Sequence, residues 1–211
     1  MKIHEYQAKA ILTEFGVPIP RSYALFILRE LTSVFVGLFA VGLLWHLRVL
    51  MEGPEAYAYF LAQLRRPIFV ALNSVVLLFI LFHTISWFNL APKAMVVRPS
   101  TPLFRTLFGA GGTIAALLFP VHLMLSGLAF PLGALEAPSY DFLYGLVGHP
   151  VTRLYLLVII TLPLFHWAHR FLYTLYNVLR LKHLYRFIAV LCYSAVLLGS
   201  AVAAYTVWHI P

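Results

Sequence analysis

Arg29 and Glu30 stand side by side near the start of a long apolar run, Tyr23-Ala24-Leu25-Phe26-Ile27-Leu28-Arg29-Glu30-Leu31. His83 and Trp87 lie four residues apart near the end of a second run, a spacing that puts both on one helix face. His166, His169 and Arg170 fall toward the end of a fourth run, and His46 and His122 lie within two others. Ionisable groups beside hydrocarbon are expensive, so these are the first places to look for function. An acid, histidines, arginines and an indole near a membrane boundary suit a lipid-soluble quinone. Its ring packs on aromatics, its oxygens need donors such as His, Arg or Trp, and its redox change moves two protons, which Glu30 is placed to carry. The same histidines leave a second chemistry open, because His83 facing His166 or His169, with His46 and His122 as further candidates within spans, would ligate a haem b axially. Each residue also has a plainer use: Arg29 snorkelling, Trp87 in an interfacial belt, His83 as a hydrogen-bonded packing residue.

The elements that must position these residues are long and apolar. Of the 211 residues 62% are hydrophobic and 10% charged, against about 25% charged in a soluble chain, so most of the surface is expected to face lipid. Five stretches, roughly 24–50, 67–90, 104–132, 151–178 and 184–209, have the ~20 apolar residues that a spanning helix requires. Connections rich in breakers separate them: Gly53-Pro54, Ala91-Pro92-Lys93, Pro131 through Pro138, and the basic turn Arg180 to His183. Alternating strand patterns of a barrel are missing, so the expected fold is an all-α polytopic bundle with five transmembrane helices. The lone cysteine, Cys192, sits in an apolar run and reads as a small buried hydrophobe. No basic stripe alternates with solvent-facing aromatics, so the net charge of +8 does not point to nucleic acid. The polar opening MKIHEYQAKAILTEFG lacks the apolar core of a signal peptide and is expected to be retained.

The charges give the five spans a direction. With a cytoplasmic N-terminus, eleven basic residues fall inside: Lys2, Lys9, Arg21, Arg29, Lys93, Arg98, Arg105, Arg170, Arg180, Lys182 and Arg186. Arg48, Arg65, Arg66 and Arg153 remain outside, where they balance Glu52, Glu55, Glu136 and Asp141. That asymmetry is the one positive-inside insertion produces, and an odd number of spans puts Pro211 outside. The Arg29-Glu30, His83-Trp87 and His166-His169-Arg170 groups then share one depth, near the cytoplasmic boundary.

These residues carry a resemblance. Residues 21–99, through RSYALFILRELTSVFVGLFAVGLLWHL, MEGPEAYAYFLAQLRRP and FHTISWFNLAPKA, resemble the fumarate reductase C subunit, a membrane anchor with two of its spans represented here. Residues 100–211, through TPLFRTLFGAGGTIAALLFPVHLMLSGLAFPLG, SYDF and LPLFHWAHRF, resemble the D subunit, with three spans. The resemblance implies a membrane-anchor and quinone-binding subunit of a menaquinol:fumarate reductase in a bacterial inner membrane. Such a subunit is partnered by a flavoprotein and an iron–sulfur subunit and has no dicarboxylate site of its own. It implies that Arg29, Glu30, His83, Trp87, His169 and Arg170 bind menaquinone, with Glu30 catalytic in proton transfer. Arg105 stands where the D subunit has a tryptophan near the quinone. Five spans instead of six also resemble single-chain succinate:quinone oxidoreductase anchors, some of which carry haem b, and His122 in place of an apolar residue favours that alternative. A non-redox membrane scaffold is the remaining one. Residues 1–20, MKIHEYQAKAILTEFGVPIP, resemble the N-terminus of the succinyl-CoA ligase β subunit; they are too short for a nucleotide site and are expected to form a short amphipathic helix using Ile3, Ala8, Ile11, Leu12 and Phe15.

Overall fold

A computed structural model describes residues 21–95, 103–177 and 181–209. The amphipathic helix expected in residues 1–20 and the side chain of Arg105 lie outside the described residues. The described chain is helical and contains no strand. Its elements are α1 (Arg21–Glu52), α2 (Pro54–Leu64), α3 (Pro67–Met95), α4 (Leu103–Leu123) continued by a π-helical segment (Met124–Ala129), α5 (Tyr140–Gly148), α6 (Pro150–Asn177), and α7 (Tyr185–His209) after a single 3₁₀ turn (Lys182–Leu184). Five of the helices are long and apolar enough to cross a membrane: Ile27–Glu52, Pro67–Asn89, Thr106–Ala129, Pro150–Tyr176 and Tyr185–His209. Backbone groups in hydrocarbon must bond within their own segment, which is why these runs become helices.

Sequence alone suggests loops for the two longer connections, and the structure corrects this. Gly53 and Pro54 do break α1, but they also start α2. Gly53 takes φ 109° and ψ −179°, a conformation open essentially to glycine alone, and proline is favoured in the first helical turn because its missing N–H is not needed there. Ser139 likewise caps α5, accepting from the Phe142 amide at 3.3 Å. The Tyr57 hydroxyl donates to the Pro138 carbonyl at 2.9 Å and ties α2 to the loop before α5. Burial pushes the Tyr57 phenol above its ordinary value, so it stays a donor throughout the neutral range.

Helix α6 is the hub, packing against α1, α4 and α7, while α3 lies across α1 and α4. Close approach rests on glycines. Gly37 of α1 faces the Trp167 indole so closely that a Cβ would lie 2.5 Å from its ring. Pro120 inside α4 has no N–H for the Ala116 carbonyl one turn earlier. The Thr84 hydroxyl of α3 fills that vacancy, donating to Ala116 O at 3.0 Å. Downstream, the Asn73 amide donates to Gly127 O at 3.2 Å and the Ser126 hydroxyl to His122 O at 2.7 Å, where the helix widens to its π form.

Candidate functional site

The Arg29-Glu30, His83-Trp87 and His166-His169-Arg170 groups chosen from sequence come together at one end of the bundle. Glu30, 4% exposed, accepts through Oε1 from Arg29 Nη2 at 3.1 Å and is ion-paired through the same oxygen with Arg170 Nη1 at 3.0 Å. One guanidinium comes from the adjacent position on α1 and the other from α6, so the carboxylate joins two halves of the chain. Such charge-assisted bonds offset the desolvation that a carboxylate suffers near lipid.

Two residues on, the Thr32 hydroxyl donates to the Arg29 carbonyl at 2.5 Å. Its proton is therefore committed, and its lone pair accepts from His83 Nδ1 at 3.0 Å. His166 has the same protonation pattern for a different reason: its Nδ1 is 3.0 Å from the Phe108 carbonyl, which only accepts. Both imidazoles thus carry their proton on Nδ1 and present a bare Nε2. Both Nε2 atoms are buried and without a hydrogen-bond partner. A buried unsatisfied acceptor costs about 1–3 kcal/mol, so two in one cluster require an explanation.

The rings pack tightly. His83 and His166 meet edge to face with centroids 5.4 Å apart, and Trp87 stacks along His83 at 6.1 Å and meets His166 at 5.0 Å. Phe108 stacks on His166 at 4.5 Å, touches His169 at 4.9 Å and lies 5.9 Å under the Arg170 guanidinium. The Trp87 indole N–H donates to Thr113 Oγ1 at 3.2 Å, and that hydroxyl donates to Gly109 O at 3.0 Å. Gly112 makes the packing possible: a Cβ there would lie 2.6 Å from two atoms of the Trp87 indole and 2.7 Å from His166 Cε1. His169 points to α7, with Nδ1 2.9 Å from the Tyr193 hydroxyl.

Of the histidine pairs that would serve a haem, His83 and His166 are in direct ring contact, with Trp87 and Phe108 also packed on His166, so these two rings do not face each other across a gap as two axial ligands would. His122 is engaged elsewhere: its Nδ1 donates to Leu118 O at 2.9 Å and its Nε2 accepts from the Tyr155 hydroxyl at 2.9 Å. Among the described residues no group of three or more His, Cys, Asp or Glu could hold a metal ion.

Sequence reasoning misses Thr32, Phe108 and Thr113, and uses His166 chiefly as a haem candidate. The one available signal is LFGAGG, since small residues clustered inside a spanning helix let another helix approach closely. A second polar feature lies 16 residues along α1 from Glu30, about 24 Å by helical rise. There His46 stacks against Tyr57 at 6.0 Å and meets Phe60 at a tilt at 4.8 Å, with a buried Nε2 that has no partner. It borders an apolar cavity of about 300 Å³ that Trp45, Asn73 and Ser126 also line.

Comparison with known proteins finds both families in the chain. Residues 19–128 match the family of the fumarate reductase C subunit, and residues 95–208 match that of the fumarate reductase D subunit. The two matches overlap over residues 95–128, which contain α4. The chain is 47% identical over 108 residues to the fumarate reductase D subunit of Mycobacterium bovis, covering 51% of this chain and 86% of that protein. The same figures hold for the D subunit of Mycobacterium tuberculosis. The fumarate reductase C subunit of Mycobacterium tuberculosis is 42% identical over 78 residues, 37% of this chain and 62% of that protein. No solved structure matches. With each family covering more than half of its length and five helices able to span a bilayer, this chain belongs to the fumarate reductase membrane subunits, C and D joined in one multi-pass polypeptide.

Proposed function

We propose that the chain anchors a menaquinol:fumarate reductase in a bacterial inner membrane and binds the quinol at the Glu30 cluster. In this reading the N-terminus is cytoplasmic and residues 21–99 and 100–211 are the C-like and D-like parts. A flavoprotein and an iron–sulfur subunit dock on the Glu30 side. The observation that carries the reading is the Glu30 carboxylate held between Arg29 and Arg170, from the C-like and D-like parts respectively, against the His83, Trp87 and His166 rings.

Each residue has a task under this reading. The Trp87 and Phe108 rings form the apolar wall beside a naphthoquinol head, while Arg29 and Arg170 supply fixed positive charge for its oxygens. His169 and Arg105 complete the binding set. Glu30 exchanges protons with the water-facing side, which its Arg29 and Arg170 partners reach with 17% and 18% side-chain exposure. Electrons leave the quinol for the iron–sulfur subunit and arrive at flavin, where fumarate becomes succinate. One cysteine cannot hold a cluster, so the redox centres belong to those partners. The reading is free of haem, supported by the ring contact of His83 with His166 and by the engagement of His122 with Tyr155.

Co-expression with neighbouring genes tests it. The purified complex should contain a flavoprotein, oxidise menadiol with fumarate as acceptor, and show no haem α-band on reduction. A chain that purifies alone and is silent toward menadiol would favour a structural scaffold.

A further inference from the structure

We propose that His83 and His166 act as one imidazole dyad that takes the first proton released when quinol is oxidised, which makes His166 a positioning residue of the site. The inference rests on the quinol-binding reading above and adds a residue and a direction of proton movement to it.

The argument begins with committed protons. Thr32 spends its hydroxyl proton on the Arg29 carbonyl, so His83 must donate through Nδ1. The Phe108 carbonyl imposes the same tautomer on His166. Two neighbouring rings, 5.4 Å between centroids, therefore hold two basic nitrogens, both buried and both without a donor. A packing pair would be expected to use its second nitrogen on a carbonyl or hydroxyl close by. Here the second nitrogens are kept bare while the first are fixed by hydrogen bonds, the arrangement by which one ring nitrogen is oriented as a proton acceptor.

Other acidic and basic groups around the dyad are occupied. Glu30 is engaged by Arg29 and Arg170, His169 meets Tyr193, and the Trp87 indole N–H goes to Thr113. In the step, the quinol O–H bond breaks, an N–H bond forms at His83 Nε2, and the electron passes to the iron–sulfur subunit. His166 lies edge to face against the new imidazolium and offers it a neutral, polarisable neighbour with a free acceptor. Its effect is to hold the His83 ring in place and share the charge. The second quinol O–H bond then breaks, its electron also passing to the iron–sulfur subunit and its proton going to Glu30, whose ion pairs with Arg29 and Arg170 both use Oε1.

The test uses the whole complex and menadiol. His166→Asn keeps an amide donor for the Phe108 carbonyl but cannot take a proton. Menadiol:fumarate turnover should fall roughly ten-fold with KM for menadiol unchanged, below the range of about 10²–10⁴ supplied by a directly acting proton acceptor. The acid limb of the kcat–pH profile, where the wild-type dyad is already protonated, should move. His83→Asn should fall further, and the double variant should be no worse than His83→Asn alone, as expected of residues that act as a unit. Unchanged turnover and pH profile, additive losses, or a change in KM alone would each overturn the dyad. Should His166→Asn fail to assemble, infrared difference spectra of the wild-type complex with ¹⁵N-labelled histidine decide: imidazolium bands on menadiol oxidation support the proposal and their absence ends it. A wild-type complex that does not oxidise menadiol at all instead removes the quinol reading beneath it.

Discussion

The two ends of the bundle use histidine in opposite settings. At the Glu30 end, His83 and His166 sit 2% and 0% exposed among touching aromatic rings and beside a carboxylate with two guanidiniums. At the other end His46 also has a buried, partnerless Nε2, but its neighbours are Tyr57, Phe60 and an apolar cavity of about 300 Å³. The same atom is unsatisfied in both places. What differs is how firmly the rest of the ring is held: Thr32 and Phe108 fix the tautomers at the first end, and close packing leaves no freedom to repair a change. Substitutions should therefore be far more damaging at the Glu30 end.

The largest effect is expected from Glu30→Ala. It leaves Arg29 and Arg170 facing the same position without the carboxylate, a loss of about 3 kcal/mol, the low end for a broken buried pair because the two guanidinium side chains are 17% and 18% exposed. Thermal unfolding of the detergent-solubilised complex measures it. Glu30→Gln keeps the shape and most of the fold, and menadiol turnover should drop about 100-fold. Turnover within two-fold of wild type would remove Glu30 from proton transfer.

Gly112→Val comes next. The Cβ alone would meet Trp87 at 2.6 Å and His166 at 2.7 Å, and neither ring has space to retreat, so overpacking by about 2–3 kcal/mol is expected. Its thermal midpoint should fall with that of Glu30→Ala, and an unshifted midpoint would show the cluster to be looser than its contacts imply. Thr32→Val is a smaller change of nearly equal volume. It removes the acceptor of the His83 Nδ1 proton and should cost about 1 kcal/mol.

These positions are unequally legible in the sequence. Hydropathy alone locates all five spans, because a lipid-facing helix needs apolar residues on every side and so announces itself without any knowledge of its neighbours. Glu30, His83 and Arg170 are legible for the converse reason: a charge or imidazole inside such a run is conspicuous. Thr32 is not, since a threonine inside an apolar helix bonds its own backbone in most settings, and only the lateral register of α1 against α3 brings it to His83. Phe108 is hidden among the other phenylalanines for the same reason. Helices α2 and α5 look like loops in the sequence because Gly53, Pro54 and Ser139 are both breakers and helix starts, and which role prevails depends on the residues downstream.

The smallest effect is expected at the cavity. A Cβ on Gly42, which lines it, would meet nothing within 4 Å, whereas one on Gly112 meets two rings. Gly42→Ala therefore introduces no clash, and removing the glycine from the interior of α1 restores up to about 1 kcal/mol of helix propensity. In a bilayer the unfolded reference is itself helical, so most of that gain is absent and the net change should stay within about 0.5 kcal/mol. Measured side by side, Gly112→Val and Gly42→Ala change one glycine each in neighbouring helices of the same bundle. A comparable loss from both would mean that the His46 cavity is closed by packing as tight as that around Glu30, and the contrast between the two ends would fail.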